Sequence, residues 1–300
     1  MPRTEPTAIL FDIQRMCLQD GPGVRTGVFF KGCPLRCRWC HNPESYTMGA
    51  QLRYNARLCT GCGLCAAQCP GGLHTFDSAH RVRHADCAAC GRCVRACCYG
   101  ALSLAGAPYT VDALLDAIAP DRAYYGDTGG VTLSGGEPMA QFDFVMAFLR
   151  RKGGLHVCVE TSGFAPTRHY LEMLPYVDLF LFDYKATDPQ KHRELCGQDN
   201  RLILSNLQAL YDSGASILLR LPLVPGVNDD ADHLRAVAGL LAAHPRLLGA
   251  EIMAYHRLGV GKRQQFGLAG DMDLPNATPA QKQGWLDALH ALGAANVRLG

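Results

Sequence analysis

The sequence predicts an α/β chain in which six strands with crossover helices form a partial (β/α)6 barrel, interrupted near its start by a small cysteine-rich insert. Three observations carry that prediction. From about residue 105 onward, short apolar runs alternate with helix-spaced segments, the rhythm of a parallel sheet built from strand–helix–strand units. Eight of the fifteen cysteines fall between residues 59 and 97, in two copies of one spacing. Three more, Cys33, Cys37 and Cys40, share one loop directly after an apolar run. With 300 residues, 48 % of them hydrophobic, the chain can bury one large core and carry a small module beside it.

Taken in order, residues 8–13 read as a strand, and Gln19-Asp20-Gly21-Pro22-Gly23-Val24-Arg25-Thr26 as a turn, because glycines on both sides of a fixed proline free the backbone. Residues 24–31 form the strand that leads into the cysteine loop. The composition changes abruptly at residue 55 and changes back after 104, which sets the insert at 55–104 and the barrel at 1–54 and 105–300. Helical spacing follows at 111–118, 142–151, 202–213 and 232–243. Strands are expected at 130–134, 155–160, 177–183, 217–223 and 250–254, with a short final one at 296–299. In such a barrel the functional loops sit at the carboxyl ends of the strands.

Charge and composition exclude several classes. There are 29 basic and 27 acidic residues, a net charge of +2, so neither nucleic acid nor an anionic membrane is indicated. Residues 1–7 hold no apolar signal core, and no run approaches the ~18 to 20 apolar residues of a membrane span, which points to the cytoplasm. Fifteen cysteines in such a chain argue for metal or redox chemistry in a reducing, anaerobic setting rather than for disulfides. Cys17, Cys158 and Cys196 fall outside every spacing pattern and read as packing residues.

The loop spacing C-x3-C-x2-C supplies three thiols, leaving one corner of a four-iron cluster free for a small molecule; a zinc knuckle borrowing a distant ligand is the alternative. In the insert, Cys59, Cys62, Cys65 and Cys69 follow C-x2-C-x2-C-x3-C, and Cys87, Cys90, Cys93 and Cys97 repeat it. This is the bacterial two-cluster ferredoxin pattern, in which the fourth cysteine of each run ligates the other cluster. The expected sets are Cys59, Cys62, Cys65, Cys97 and Cys87, Cys90, Cys93, Cys69, against the alternative of two four-cysteine zinc sites. Cys98 stands where the first run has Pro70. Proximity allows Cys97 or Cys98, and the spacing favours Cys97.

With Trp39 before its third thiol, the cysteine loop resembles that of the radical S-adenosylmethionine (SAM) enzymes. Asp-Gly-Pro-Gly-x-Arg ahead of it and Cys40-His41-Asn42-Pro43-Glu44 at its end resemble the activating enzymes of glycyl radical enzymes. Nearly the whole chain shares the resemblance, and it implies the (β/α)6 arrangement. It also implies that Ser134-Gly135-Gly136-Glu137-Pro138 holds the SAM amino group, with the glycines admitting the ligand and Glu137 accepting from the ammonium. Lys185 of Asp183-Tyr184-Lys185 reaches the SAM carboxylate, His233 contacts the ribose, and Trp39, with His41 beside it, packs near the adenine. Arg220, a charge at the end of an apolar strand, needs a partner, which the SAM carboxylate or ribose would supply. Tyr255-His256-Arg257-Leu258-Gly259 shapes the mouth of the barrel. A monovalent cation is implied near Glu160 and Asp183, although the relative that activates pyruvate formate-lyase has the shorter Asp at the Glu160 position.

The implied activity is one-electron cleavage of SAM at the open iron, followed by removal of a hydrogen atom from a glycine of a partner glycyl radical enzyme. Three four-iron clusters and SAM are the expected cofactors, and a reduced flavodoxin or ferredoxin the electron donor; no protein acid or base is required. A radical SAM enzyme acting on a small molecule or another protein, and an iron-sulfur electron-transfer protein, are the rivals. Lys185→Ala and Gly136→Val are expected to weaken SAM binding with iron content unchanged.

Overall fold

A computed structural model describes residues 5–269 and 274–300, so the first four residues of the 1–7 segment lie outside the described range. The chain opens with a long strand, β1 (Ala8–Cys17), and β2 (Arg25–Phe30), which runs into the cysteine loop. The insert carries β3 (Gln51–Tyr54), α1 (Leu64–Gln68), β4 (His74–Phe76), β5 (His80–Val82), α2 (Arg92–Ala96) and β6 (Leu102–Ala105). After it come β7 (Ala107–Tyr109), α3 (Val111–Ile118), β8 (Gly130–Gly135), α4 (Phe142–Arg151), β9 (Val157–Thr161), α5 (Thr167–Met173) and β10 (Leu179–Asp183). The chain finishes with α6 (Pro189–Cys196), α7 (Arg201–Asp212), β11 (Ile217–Leu223), α8 (Ala231–Ala243), β12 (Ala250–Ala254), α9 (Leu258–Gln265), α10 (Pro279–Ala291) and β13 (Val297–Leu299).

Among the described residues one sheet has nine strands, in the order β13-β12-β11-β10-β9-β8-β2-β1-β7. From β2 to β13 the neighbours are parallel, while β1 and β7 join antiparallel. The sheet does not close, so it is a partial barrel. The expected six parallel strands become seven, because the short final strand pairs with β12. Strands such as β2 and β10 are buried along almost their whole length because helices cover one face and the other looks inward. The core unites these strands with the apolar stripes of α3, α4, α7 and α8. Side-chain caps start four of the described α-helices: Thr110 accepts from Ala113 N, Asp188 from Lys191 N, Asp230 from His233 N and Thr278 from Gln281 N.

Arg25 is fully buried at the start of β2, where it donates to Thr132 Oγ1 (2.6 Å), to the Pro22 carbonyl (2.9 Å) and to the Val131 carbonyl (2.7 Å). The arginine of the glycine-proline turn therefore ties that turn to β8. In the insert, β3 and β6 form one antiparallel pair and β4 and β5 another, with the two short helices between them. Among the described residues no helix is long and apolar enough to cross a membrane.

Candidate functional site

The carboxyl ends of the central parallel strands meet at an open cleft. Cys33, Cys37 and Cys40 line one side, and Gly135, Gly136, Asp183 and Lys185 another. Lys31, fully buried at the end of β2, donates to the Glu44 carbonyl (2.5 Å) and to Gln51 Oε1 (2.8 Å), which folds the end of the loop back onto the stem of the insert. Burial lowers its pKa to about 8. Backbone N–H groups of Arg36 and Arg38 donate to the carbonyls of Cys196 (2.8 Å) and Leu195 (3.0 Å), fixing the middle of the loop to α6. From α9, Lys262 donates to Asn42 (2.9 Å) and Glu44 (2.8 Å). A Cβ on Gly259 would stand 2.6 Å from the Cys40 carbonyl, so only glycine lets α9 come this close.

Trp39 is buried against Leu35, Leu195, Val224 and Tyr255 and also lines the cleft, so it both packs and borders the ligand space. His41 stacks on His256, with ring centroids 3.8 Å apart, and donates from Nε2 to the His256 carbonyl (3.1 Å). Burial pushes His41 down to about 4, so the ring is neutral. Gly135 has φ +111°, and its Cβ would lie 2.3 Å from Phe30 N; a Cβ on Gly136 would lie 2.3 Å from the Gly32 carbonyl. A side chain at 136 would press on the cysteine loop itself, so Gly136→Val is now expected to act on iron content as well as on SAM.

Lys185 donates to Asp183 Oδ2 (2.7 Å). Burial alone would lower its pKa, but Asp183 and the thiols of Cys37 and Cys196 outweigh this and hold the ammonium charged. The Cys37 pKa is lowered, first by a hydrogen bond from Cys196 and then by Lys185. Cys196, read from the sequence as packing, thus touches a loop thiol directly. Glu160 accepts from Ser134 Oγ (2.5 Å); burial raises its pKa, while Arg220 opposes and Asp183 reinforces the rise.

Four of the residues assigned to SAM lie elsewhere. Glu137 accepts from Thr161 Oγ1 (2.8 Å), Ser162 N (2.8 Å), Ser162 Oγ (2.6 Å) and Met139 N (3.3 Å), so its carboxylate organises the ends of β8 and β9 instead of meeting an ammonium. Arg220 finds its partner in Glu251, 3.1 Å away and directly opposite in the β11–β12 register, and it also donates to the Gln19 carbonyl (2.7 Å). Strand alternation sends Asp183 and Lys185 to the cleft and Tyr184 away from it. Tyr184 packs on His233 at 5.6 Å, and His233 Nδ1 bonds Thr187 Oγ1 (2.8 Å) beside a separate hollow lined by Asp188, Lys191 and Asp230. None of Glu137, Tyr184, Arg220 and His233 lines the cleft.

The insert cysteines divide between two cavities. One, of about 310 Å³, is lined by Cys59, Cys62, Cys65 and Cys97. The other, of about 450 Å³, is lined by Cys69, Cys87, Cys90 and Cys93. Exposed Cys98 lines neither. Four thiols around a small cavity, twice, suit two four-iron clusters, and a three-thiol loop facing an open cleft suits a third with a free corner. Glu251, Lys262, His74 and His80 were not singled out from the sequence, and Cys196 was read only as packing. For the two histidines a signal was present, since the repeat places leucines at their counterparts, Leu102 and Leu52.

Residues 87–237 match the radical SAM superfamily, and residues 51–98 match a 4Fe-4S dicluster domain. The choline trimethylamine-lyase activating enzyme of Oleidesulfovibrio alaskensis is 42 % identical over 88 % of this chain and 88 % of its own. The indoleacetate decarboxylase activating enzyme of Tractidigestivibacter scatoligenes is 37 % identical over 95 % of each. A crystal structure of a radical SAM methyltransferase from Sphaerobacter thermophilus shares the fold, with a TM-score of 0.53 and 15 % identity over 92 % of this chain and 66 % of that one.

Proposed function

The chain belongs to the radical SAM activating enzymes of glycyl radical enzymes, and from that premise we propose how its own residues divide the work. The activity is reductive cleavage of SAM and installation of a glycyl radical in a partner enzyme. Cys33, Cys37 and Cys40 hold the cluster that, when bound, supplies the electron for this cleavage. The paired glycines let SAM approach the strand ends, and their backbone groups receive its amino end. Lys185, kept charged by Asp183, meets the SAM carboxylate. Trp39 and neutral His41 wall the adenine side and exclude water.

Cys59, Cys62, Cys65, Cys97 and Cys87, Cys90, Cys93, Cys69 would hold two further clusters, which would supply an electron relay for a reduced flavodoxin or ferredoxin of the cytoplasm. Burial is the main reason the Glu160 pKa is raised, and a monovalent cation near Glu160 and Asp183 would relieve the Asp183 repulsion that adds to it; potassium-dependent SAM affinity tests it, and affinity indifferent to alkali cations removes it.

The observation that carries this reading is one cleft bordered by three thiols of a single loop, a glycine pair and a charged Asp–Lys pair. Anaerobically reconstituted protein is expected to bind about twelve irons. With dithionite it is expected to form 5'-deoxyadenosine, and a glycyl radical in a partner glycyl radical enzyme, seen by electron paramagnetic resonance (EPR). Stoichiometric zinc with little iron would overturn the cluster assignment. SAM turnover with no radical in that partner would favour the small-molecule reading.

A further inference from the structure

The two halves of the insert are copies in which each cysteine recurs 28 positions later, as Cys59 does at Cys87 and Cys69 at Cys97. Strand registers obey the same offset: His74 faces Val82 and Phe76 faces His80 in one pair, as Leu102 faces Tyr54 and Leu104 faces Leu52 in the other. By that symmetry His80 takes the place of Leu52, and His74 that of Leu102. An apolar residue satisfies the fold at both places in one half. The other half carries imidazoles, which the packing itself does not require.

Their geometry is directed. His80 Nδ1 lies 3.3 Å from Cys59 Sγ, and His80 Nε2 lies 2.9 Å from His74 Nδ1. The longer approach of His80 Nε2 to Cys65 Sγ, 3.8 Å, leaves the Cys59 contact as the better hydrogen bond. One consistent proton arrangement follows: His74 Nδ1–H donates to His80 Nε2, which fixes the tautomer that leaves His80 Nδ1–H to donate to the sulfur. Phe76 stacks on the His80 ring at 4.4 Å and Tyr54 closes on it at 4.4 Å, so the ring is clamped. For the other thiol set, the hydrogen bonds found on sulfur among the described residues come from backbone, Ala89 N to Cys87 (3.4 Å) and Leu73 N to Cys69 (3.5 Å).

We propose that His80, oriented by His74, sets the two insert clusters at different reduction potentials by donating a hydrogen bond to the Cys59 sulfur. This rests on the cluster assignment above. A donor to a thiolate ligand withdraws charge from the cluster and favours its reduced form, so the Cys59 cluster has the higher potential for this contact. His80 is a positioning residue: it acts through the ligand.

The test is EPR-monitored potentiometric titration of the reconstituted full-length protein, with iron and zinc measured on the same samples. Signals that change on adding SAM belong to the Cys33 loop, and the remainder report the insert. His80→Leu copies the other half. It is expected to lower one insert potential by about 59 mV, a tenfold change in a one-electron couple, and leave the other in place. His80→Gln keeps an N–H and is expected to retain most of the wild-type value. His74→Leu is expected to shift the same signal in the same direction by less. Unchanged potentials at full iron content, or equal shifts in both signals, would overturn the inference while sparing the cluster assignment. If His80→Leu fails to assemble, an unchanged potential in His74→Leu overturns it. Zinc bound in the parent and lost with His80 would make the imidazoles ligands, and iron missing from the parent would overturn the assignment beneath.

Discussion

The cysteine loop and the insert gather similar thiols into unlike surroundings. The loop is held by groups foreign to it: Lys31 at its root, the carbonyls of α6 at its middle and Lys262 of α9 at its end. Its three thiols face a wide cleft with glycine backbone and an Asp–Lys pair opposite. In the insert the cysteines hold one another's neighbourhoods together, four around each small cavity, with apolar residues such as Leu52 and Leu102 filling the remainder. On the proposed reading, ligand count separates chemistry from electron supply: three thiols would leave a place for a reactant, and four would close it.

The largest test of that contrast removes a loop thiol. Cys33→Ala is expected to reduce 5'-deoxyadenosine formation to background with every reductant, and surviving turnover would break the comparison at its root. Cys62→Ala and Cys90→Ala are expected to lose most turnover driven by a protein donor and to regain at least part of it with dithionite, provided circular dichroism shows them folded. If they stay inactive with dithionite, the insert does more than relay.

Gly136→Val sharpens the contrast from the structural side. Its side chain would push on the Gly32 carbonyl, so about four of roughly twelve irons should be lost while the insert keeps its own. Retention of all three clusters would mean the loop yields without cost. Lys185→Ala, by comparison, should keep its iron and weaken SAM binding about tenfold to a hundredfold by calorimetry, the range for one charged hydrogen bond.

The smallest effect concerns the barrel alone. Burial holds His233 at about 4, below its ordinary value, so between pH 6.5 and 4 the unfolded chain binds a proton that the native ring refuses. Stability from this residue is complete above pH 6.5 and declines as pH falls toward 4, by at most about 3 kcal/mol. In denaturant titrations at pH 7 and 5, His233→Asn should lose less stability than the parent on acidification; equal losses would dismiss this source.

Strand positions and a cysteine-rich insert were legible because each follows from spacing along the chain, and the two thiol sets expected from that spacing line two separate cavities. The β11 and β12 runs at 217–223 and 250–254 match the structure at both ends. What escaped depends on register between strands. Arg220 was read correctly as a buried charge in need of a partner, but that the partner is Glu251 follows from β11 lying beside β12 in one alignment. Glu137 looked free to bind an ammonium because nothing local reveals that Thr161 and Ser162, one strand later, occupy its carboxylate. His233 was misplaced because alternation in Asp183-Tyr184-Lys185 turns Tyr184, its neighbour, out of the cleft.

The strand that carries the chain out of the insert has a second consequence. At three residues and with Pro108 at its centre, β7 forms one rim of the sheet, and three-residue β13 forms the other. A long rim would offer a row of unpaired N–H and C=O groups to another chain, whereas a proline-broken stub offers almost none. The short β7 covers only Ala8–Leu10 of β1, so the remainder of β1 forms the edge beyond it, and the stub protects the rim only where it pairs.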